Sequence, residues 1–423
     1  MTKPVVIVGG GLAGVTAAIE LHHEGRQVSI YESNQNLGGL LGGLKIAGDE
    51  YPFGTHLLQK SGRIEIDNII FPDNFNWHRL EYVKNGNITN NKLDTETGFL
   101  NLGAMPIETQ VSVYQHILHC LVMKNRAEAY SEAKRLDKKL VSLYGENLAS
   151  FYEKISEVIF GLSCNLQDST SLDPVLCTNR IKAFTPWLSR ILKRKSFFDN
   201  RFSFHSSSEG VESYSSFVPT HLEYINWWKE VEVSLRDLGI DIFLSSKCEF
   251  IDHKLHVQSN TKIMDVIALE SVDVIRTAGL TQKQRSNVQT ELYFYKSSHK
   301  PLIDSYFITS YSSTCAFSRI TLCANLGAKH NGIVAEVISP ASRKESQQEI
   351  ARNIGAQLKG YGIVNENSII ELMKVINLKS GGFRPKLFNK YLDLYSSDDR
   401  DIRGIASNKS WFMNDVIRKK HKQ

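Results

Sequence analysis

The chain has 423 residues, 42% of them hydrophobic and 22% charged, which is the profile of a soluble globular protein with one large core or two interleaved domains. A formal charge of +5 is too small for this length to indicate a nucleic-acid partner, although it suits an anionic small molecule. No apolar run reaches the length of a membrane span, and no signal segment precedes the first strand, so a cytoplasmic setting is expected.

Val5-Val6-Ile7-Val8 is a short β-branched run of the kind a buried parallel strand needs. It leads into Gly9-Gly10-Gly11-Leu12-Ala13-Gly14, a G-x-G-x-x-G turn, and then into a helical segment from Val15 to Glu24. Gly25 closes the helix, and Val28 to Tyr31 reads as a second strand ending at Glu32. In such a βαβ unit Gly9 permits the tight turn and Gly11 lets backbone N–H groups approach a pyrophosphate. Gly14 lets helix and strand pack closely, and the helix start at Leu12 and Ala13 offers partial positive charge. Glu32 sits where a carboxylate can accept from ribose hydroxyls, and Ser33 after it offers no cation for a 2′-phosphate.

A second glycine pair, Gly38-Gly39, follows the acid at short spacing and precedes Leu40. Together these stretches resemble the extended signature of the two-dinucleotide-binding FAD proteins. That resemblance implies a Rossmann-type FAD-binding domain, noncovalent FAD, and flavin phosphates and ribityl chain lying against Gly38, Gly39 and Leu40. The fold class expected is α/β, with an antiparallel-sheet substrate domain and a helical insertion.

Further along, Gly54-Thr55-His56 resembles the Gly-x-His of UDP-galactopyranose mutases, which implies that the His56 backbone borders the flavin. Alternation from Trp77 to Leu102 around Asn85-Gly86-Asn87 predicts a hairpin. Helical periodicity from Ile107 to about Gly161 predicts three or more helices, part of a substrate lid in the resembled superfamily. The stretch from Phe184 to Phe204 carries Trp187, Arg190, Lys193, Arg194, Lys195 and Arg201, and Arg forks match phosphate oxygens. A solvated charged surface is the other reading of these cations.

Pro219 to Gly239 predicts a helix bearing Trp227 and Trp228; Ile240 to Leu244 a strand, with Ser245 to Ile251 continuing its sheet. The resemblance places an adenine contact at Cys248 and makes Asp273 to Thr277 the strand that closes the nucleotide-binding sheet, with Thr277 at the cofactor. Tyr306–Thr309 and Ala316–Thr321 read as adjacent strands. The second resembles the mutase segment whose arginine grips a diphosphate, a role carried onto Arg319, with a carboxylate as the alternative partner. Gly404 to Ile417 resembles the mutase C-terminus, implying flavin contacts at Gly404, Met413, Asn414 and Asp415.

The resulting domain reading assigns 1–60, about 210–280 and 395–423 to the FAD domain, about 61–104 and 285–394 to the sheet, and about 105–209 to the helical lid. Six scattered cysteines without C-x-x-C spacing imply free thiols, and thirteen histidines without H-E-x-x-H imply no metal site. The resemblance covers the FAD-dependent amine oxidases, protoporphyrinogen oxidases and UDP-galactopyranose mutases. It favours a mutase-like enzyme acting on a nucleotide-linked sugar, with His56, Arg319 and Arg190 at the reacting centre. Two alternatives remain open: an oxidase or dehydrogenase taking hydride from a small molecule, and a catalytically altered FAD-binding protein marked by Gln59 and Ile405. A homodimer is compatible with either.

Overall fold

The computed structural model describes residues 3–80, 83–123, 133–203, 216–251, 254–259, 262–268, 271–276 and 288–378. Thr277, Gly404, Met413, Asn414 and Asp415 lie outside the described residues. The rest divide into two compact units, one built from 3–80 and 216–276, the other from 83–203 and 288–378.

In the first unit, Val5–Val8 sits in a four-stranded parallel sheet between Val28–Tyr31 and Asp273–Arg276, with Asp241–Phe243 outside Val28–Tyr31. Val5, Ile7, Val28 and Ile30 are buried on one face and Val6 and Tyr31 on the other, as a sheet covered on both faces requires. Helix Leu12–His23 is the crossover, burying Val15, Ala17, Ala18, Ile19 and Leu21. Helix Tyr224–Asp237 follows the strand Ser216–Pro219 and buries Trp227 and Trp228. Lys247–Ile251 does not continue the parallel sheet as expected. It opens a separate antiparallel sheet with Lys254–Ser259 and Lys262–Ala268. The turn at Leu244 and Ser245, with the positive φ of Ser245, redirects the chain at that point.

The second unit is a seven-stranded sheet in the order Ile370–Asn377, Val288–Ser297, Gly332–Pro340, Arg319–Leu322, Phe307–Tyr311, Asn85–Thr89, Lys92–Asp94. It is antiparallel except where Phe307–Tyr311 pairs parallel with Asn85–Thr89. The predicted hairpin lies a few residues later than its glycine suggested. Asn85-Gly86-Asn87 is strand, and the chain turns at Asn90 and Asn91, whose φ values of 47° and 61° suit a type I′ turn. Gly86 serves close packing instead: a Cβ there would lie 2.9 Å from the Asp94 carbonyl oxygen. Trp77–Leu80, assigned above to this sheet, pairs with Ser216–Pro219 in the first unit.

Three helices, Ile107–Val122, Leu136–Tyr144 and Glu146–Phe160, pack into one core with Tyr311 and Ile338 of the sheet. On the sheet's other face helix Gln347–Gly360 covers Tyr293, Tyr295, Ile308 and Ile320. A capping box of Ser346 and Glu349 starts that helix, satisfying two of its unpaired N–H groups. Among the described residues no helix is long and apolar enough to cross a membrane.

Candidate functional site

The site grows out of the turn after Val5–Val8. Gly9 has φ 111° and donates its N–H to the Tyr31 carbonyl at 2.8 Å, which pins the turn to the second strand. Helix Leu12–His23 then starts at Gly11 without a side-chain cap. Its first N–H groups have no partner within the helix, and Ala13 is exposed at that end. Such an end attracts an anion.

Glu32 is 5% exposed and is used locally first. Its Oε2 accepts the Gly10 N–H at 2.7 Å, while Oε1 accepts the Asn34 backbone N–H and side-chain amide, both at 2.8 Å, and the Ser33 hydroxyl at 3.2 Å. The carboxylate therefore ties the glycine turn to the end of the second strand. Oε2, with one acceptor position used by these bonds, keeps capacity for a ribose hydroxyl.

The second glycine pair folds back onto the first turn. Gly38 donates to the Gly10 carbonyl at 2.9 Å, and Gly11 and Gly38 form an isolated parallel bridge. Leu37 is buried so close that a Cβ on Gly10 would lie 2.5 Å from its Cδ2. Gly38 (φ 116°) faces the buried indole of Trp228, whose Nε1 a Cβ would approach to 2.4 Å. Trp228 donates from Nε1 to the Leu41 carbonyl at 3.1 Å. Gly39 (φ 54°) lies over Gly11, and Leu40 is half-buried beside it. The Gly38 to Gly10 bond, the Gly11–Gly38 bridge and the Gly10 to Glu32 bond thus bring the two glycine turns and the acid together, while Gly14 is buried within the helix.

Two residues of this apparatus escaped the sequence reading. Trp228 was only half of an aromatic pair on a predicted helix. Glu50, on strand Asp49–Pro52, is 8% exposed and its Oε1 accepts the Ile225 N–H at 2.7 Å, at the start of the helix that carries Trp228. Burial pushes its carboxyl above the ordinary range, opposed by the Ile225 N–H and by Lys45. No spacing rule links Glu50 to that helix, 175 residues away.

Gly54 has φ 124°, which releases the chain for a sharp turn before His56. The His56 carbonyl accepts the Tyr224 hydroxyl at 3.3 Å, so the His56 backbone is held by the Trp228 helix. Cys248 pairs with Val257 and packs beside Val6 and Tyr31. Burial pushes its thiol up to about 11, so it stays protonated and weakly nucleophilic at neutral pH.

Arg319 and Arg190 belong to the second unit. Arg319 directly faces Glu336 across neighbouring strands, with Nε at 2.9 Å and NH2 at 2.7 Å from Oε2. The carboxylate partner foreseen as the alternative is therefore present. Arg190 is exposed on helix Pro186–Leu192, and Trp187 beside it is 69% exposed. Other cations of that segment turn inward. Lys193 contacts Asp199 at 3.2 Å, and Arg201 lies 4.0 Å from the Phe197 ring centroid while donating to the Phe197 carbonyl at 2.9 Å. These two are structural.

The glycine turns, the acid at the second strand's end and the uncapped helix start define a Rossmann-type dinucleotide site. Residues 7–65 match the family described as NAD(P)-binding Rossmann-like domain. A 1-hydroxycarotenoid 3,4-desaturase of Flavobacterium sp. is 35% identical over 71 residues, 17% of this chain and 14% of the relative. A 4,4'-diaponeurosporene oxygenase of Staphylococcus aureus is 38% identical over 58 residues, 14% of this chain and 12% of the relative. The chain thus matches only about an eighth of these curated relatives' length.

The whole fold finds its likeness among solved structures. A reduced UDP-galactopyranose mutase superposes with TM-score 0.66 at 14% identity, covering 91% of this chain and 84% of the other. A putrescine oxidase bound to putrescine gives 0.55 at 13% identity, covering 100% and 98%. The chain therefore has the α/β fold that the resemblance to the FAD-dependent amine oxidase superfamily implied.

Proposed function

We propose that the chain is a flavoenzyme that binds FAD noncovalently on the surface running from Gly9 to Leu41 and acts on a nucleotide-linked sugar. The observation that carries the cofactor assignment is the return of Gly38-Gly39 onto the first turn through the Gly38 to Gly10 hydrogen bond. A second glycine pair in that position lengthens the phosphate cradle past what one G-x-G-x-x-G turn provides. The residues present fit the group: Cβ atoms at Gly10 or Gly38 would collide with their neighbours, and the helix start at Leu12 is free of a side-chain cap. The pyrophosphate would be held by backbone N–H groups around Gly11 to Ala13, and a ribose by Glu32. Bound FAD would supply the electron-accepting or nucleophilic centre of the reaction.

The chain's own part is positioning. Glu32 and Trp228 fix the two turns, Tyr224 holds the His56 backbone, and His56 would border the reacting edge. Arg319, with Arg190, would meet the substrate's phosphates in the mutase-like reading. The Arg319–Glu336 pair favours a second reading. With its charge already matched, Arg319 suits an uncharged or cationic substrate that gives up hydride to the cofactor, as in an oxidase or dehydrogenase.

The test is an anaerobic spectrum of the FAD-loaded protein, titrated with UDP-sugars and then with amines, before and after dithionite reduction. Conversion of a UDP-sugar to its ring isomer only by the reduced form would support the mutase reading. Bleaching of the oxidised band by a substrate would establish the second reading instead.

A further inference from the structure

We propose that the helical side of the second unit docks on an anionic lipid surface, lying on it without spanning it. Helix Ile107–Val122 has two apolar faces. Val113, Ile117 and Cys120 are buried. At ~100° per residue, Ile107, Val111, Leu118, Leu121 and Val122 fall on a second arc of about 100° centred near Leu118, with Tyr114 towards its edge. All five are exposed, Val122 at 77% and Ile107 at 63%, and Met123 after them is exposed as well. Single exposed leucines need no explanation, but five apolar side chains on one arc form a patch of the kind that marks an interaction site.

The patch continues onto helix Pro186–Leu192. The Tyr114 ring packs against Phe184 at 5.5 Å between centroids, and its hydroxyl donates to the Ala183 carbonyl at 2.6 Å. Trp187 follows four residues later, within about 14 Å of chain. Trp187 and Ile191 are exposed, and so are Arg190, Arg194 and Lys195. None of these three cations is ion-paired to another described residue.

Apolar side chains, an exposed tryptophan and unpaired cations on long stems are the components of an interfacial surface. The apolar groups enter the headgroup boundary, the indole sits at it, and the cations meet lipid phosphates. The charge decides against a second copy of this chain as the occupant. A two-fold contact through this face would set Arg190, Arg194 and Lys195 against their own copies.

The experiment uses the full chain with FAD added, sedimented with vesicles of phosphatidylcholine alone or mixed equally with phosphatidylglycerol. The expected result is co-sedimentation with the mixed vesicles, weakened by salt. Leu118→Asn with Val122→Asn should lower partitioning about tenfold or more, because two buried apolar side chains are lost. Arg190→Gln with Arg194→Gln and Lys195→Gln should lower it by a similar factor on mixed vesicles only. Circular dichroism checks folding, and the charge variant keeps the test alive if the apolar one does not fold. No co-sedimentation overturns the proposal. Binding undiminished by both variants also overturns it, because the contact then lies elsewhere on the chain. A concentration-dependent dimer broken by Leu118→Asn with Val122→Asn would show that a second copy covers the face.

Discussion

Replacing Gly38 with alanine tests the folded-back glycine pair at its tightest point. The backbone there has φ 116° and ψ −28°, a conformation that costs an L residue about 1–3 kcal/mol. The new Cβ would also lie 2.4, 2.6 and 2.8 Å from Nε1, Cδ1 and Cε2 of Trp228. Trp228 is 1% exposed and hydrogen-bonded to Leu41, so it cannot swing away without breaking that bond and opening the core. Relieving such overpacking costs about 1–3 kcal/mol. The two terms together make about 2–6 kcal/mol, which bounds the loss of FAD affinity at roughly 30-fold or more if it falls on the binding-competent loop. The assay is a flavin-fluorescence titration of wild type, Gly38→Ala, Trp228→Ala and the double variant. Because the clash needs the indole, Gly38→Ala should cost about 1–3 kcal/mol less in the Trp228→Ala background. An equal cost in both backgrounds, or unchanged affinity for Gly38→Ala, would refute the packing argument.

Glu32→Gln replaces one acceptor oxygen with an amide that donates, so either Gly10 or the Asn34 group loses its partner. FAD affinity should fall by about 1–3 kcal/mol in a titration, and a change within error would show that the tie is dispensable. Glu50 has a carboxyl raised by burial, so its favourable contribution is complete below the ordinary carboxylate range and declines as pH rises through the raised value. The thermal midpoint of Glu50→Gln should therefore gain on wild type between pH 4 and pH 7, and a difference that is flat or of opposite sign counts against this. Arg319→Ala strands the Glu336 carboxylate, which is 7% exposed; it should lower the thermal midpoint more than the double variant Arg319→Ala with Glu336→Ala does. Ser346→Ala removes the cap of helix Gln347–Gly360 and should cost about 1 kcal/mol in chemical unfolding, whereas no measurable cost would mean that the helix start is held by other contacts.

The nucleotide-binding βαβ unit was legible because each of its demands is local. A β-branched run, three glycines, a crossover helix and an acid all fall within 28 residues, and each has a backbone reason to be there. The three helices before Gly161 were legible from periodicity alone. What failed was long-range or depended on which neighbour a residue meets. Gly86 reads as a turn signal but is a strand residue with a carbonyl against it. The strand Lys247–Ile251 carries the same alternation whichever sheet it joins. Glu50 and Trp228 act on the glycine pair through a helix far along the chain, and nothing in a sequence window records that contact. Arg319 could be seen to need a partner, since burying a guanidinium alone is costly. Choosing Glu336 required the register of two strands.

The central claim is that the two glycine turns hold FAD. It is tested most directly by adding FAD to the purified chain, removing the excess by gel filtration, and recording the visible spectrum before and after acid precipitation. The account predicts a flavin band at one equivalent per chain, with all the flavin released into the acid supernatant and the band lost in Gly38→Ala. A chain that retains no flavin, or one whose Gly38→Ala variant retains it fully, would contradict the account.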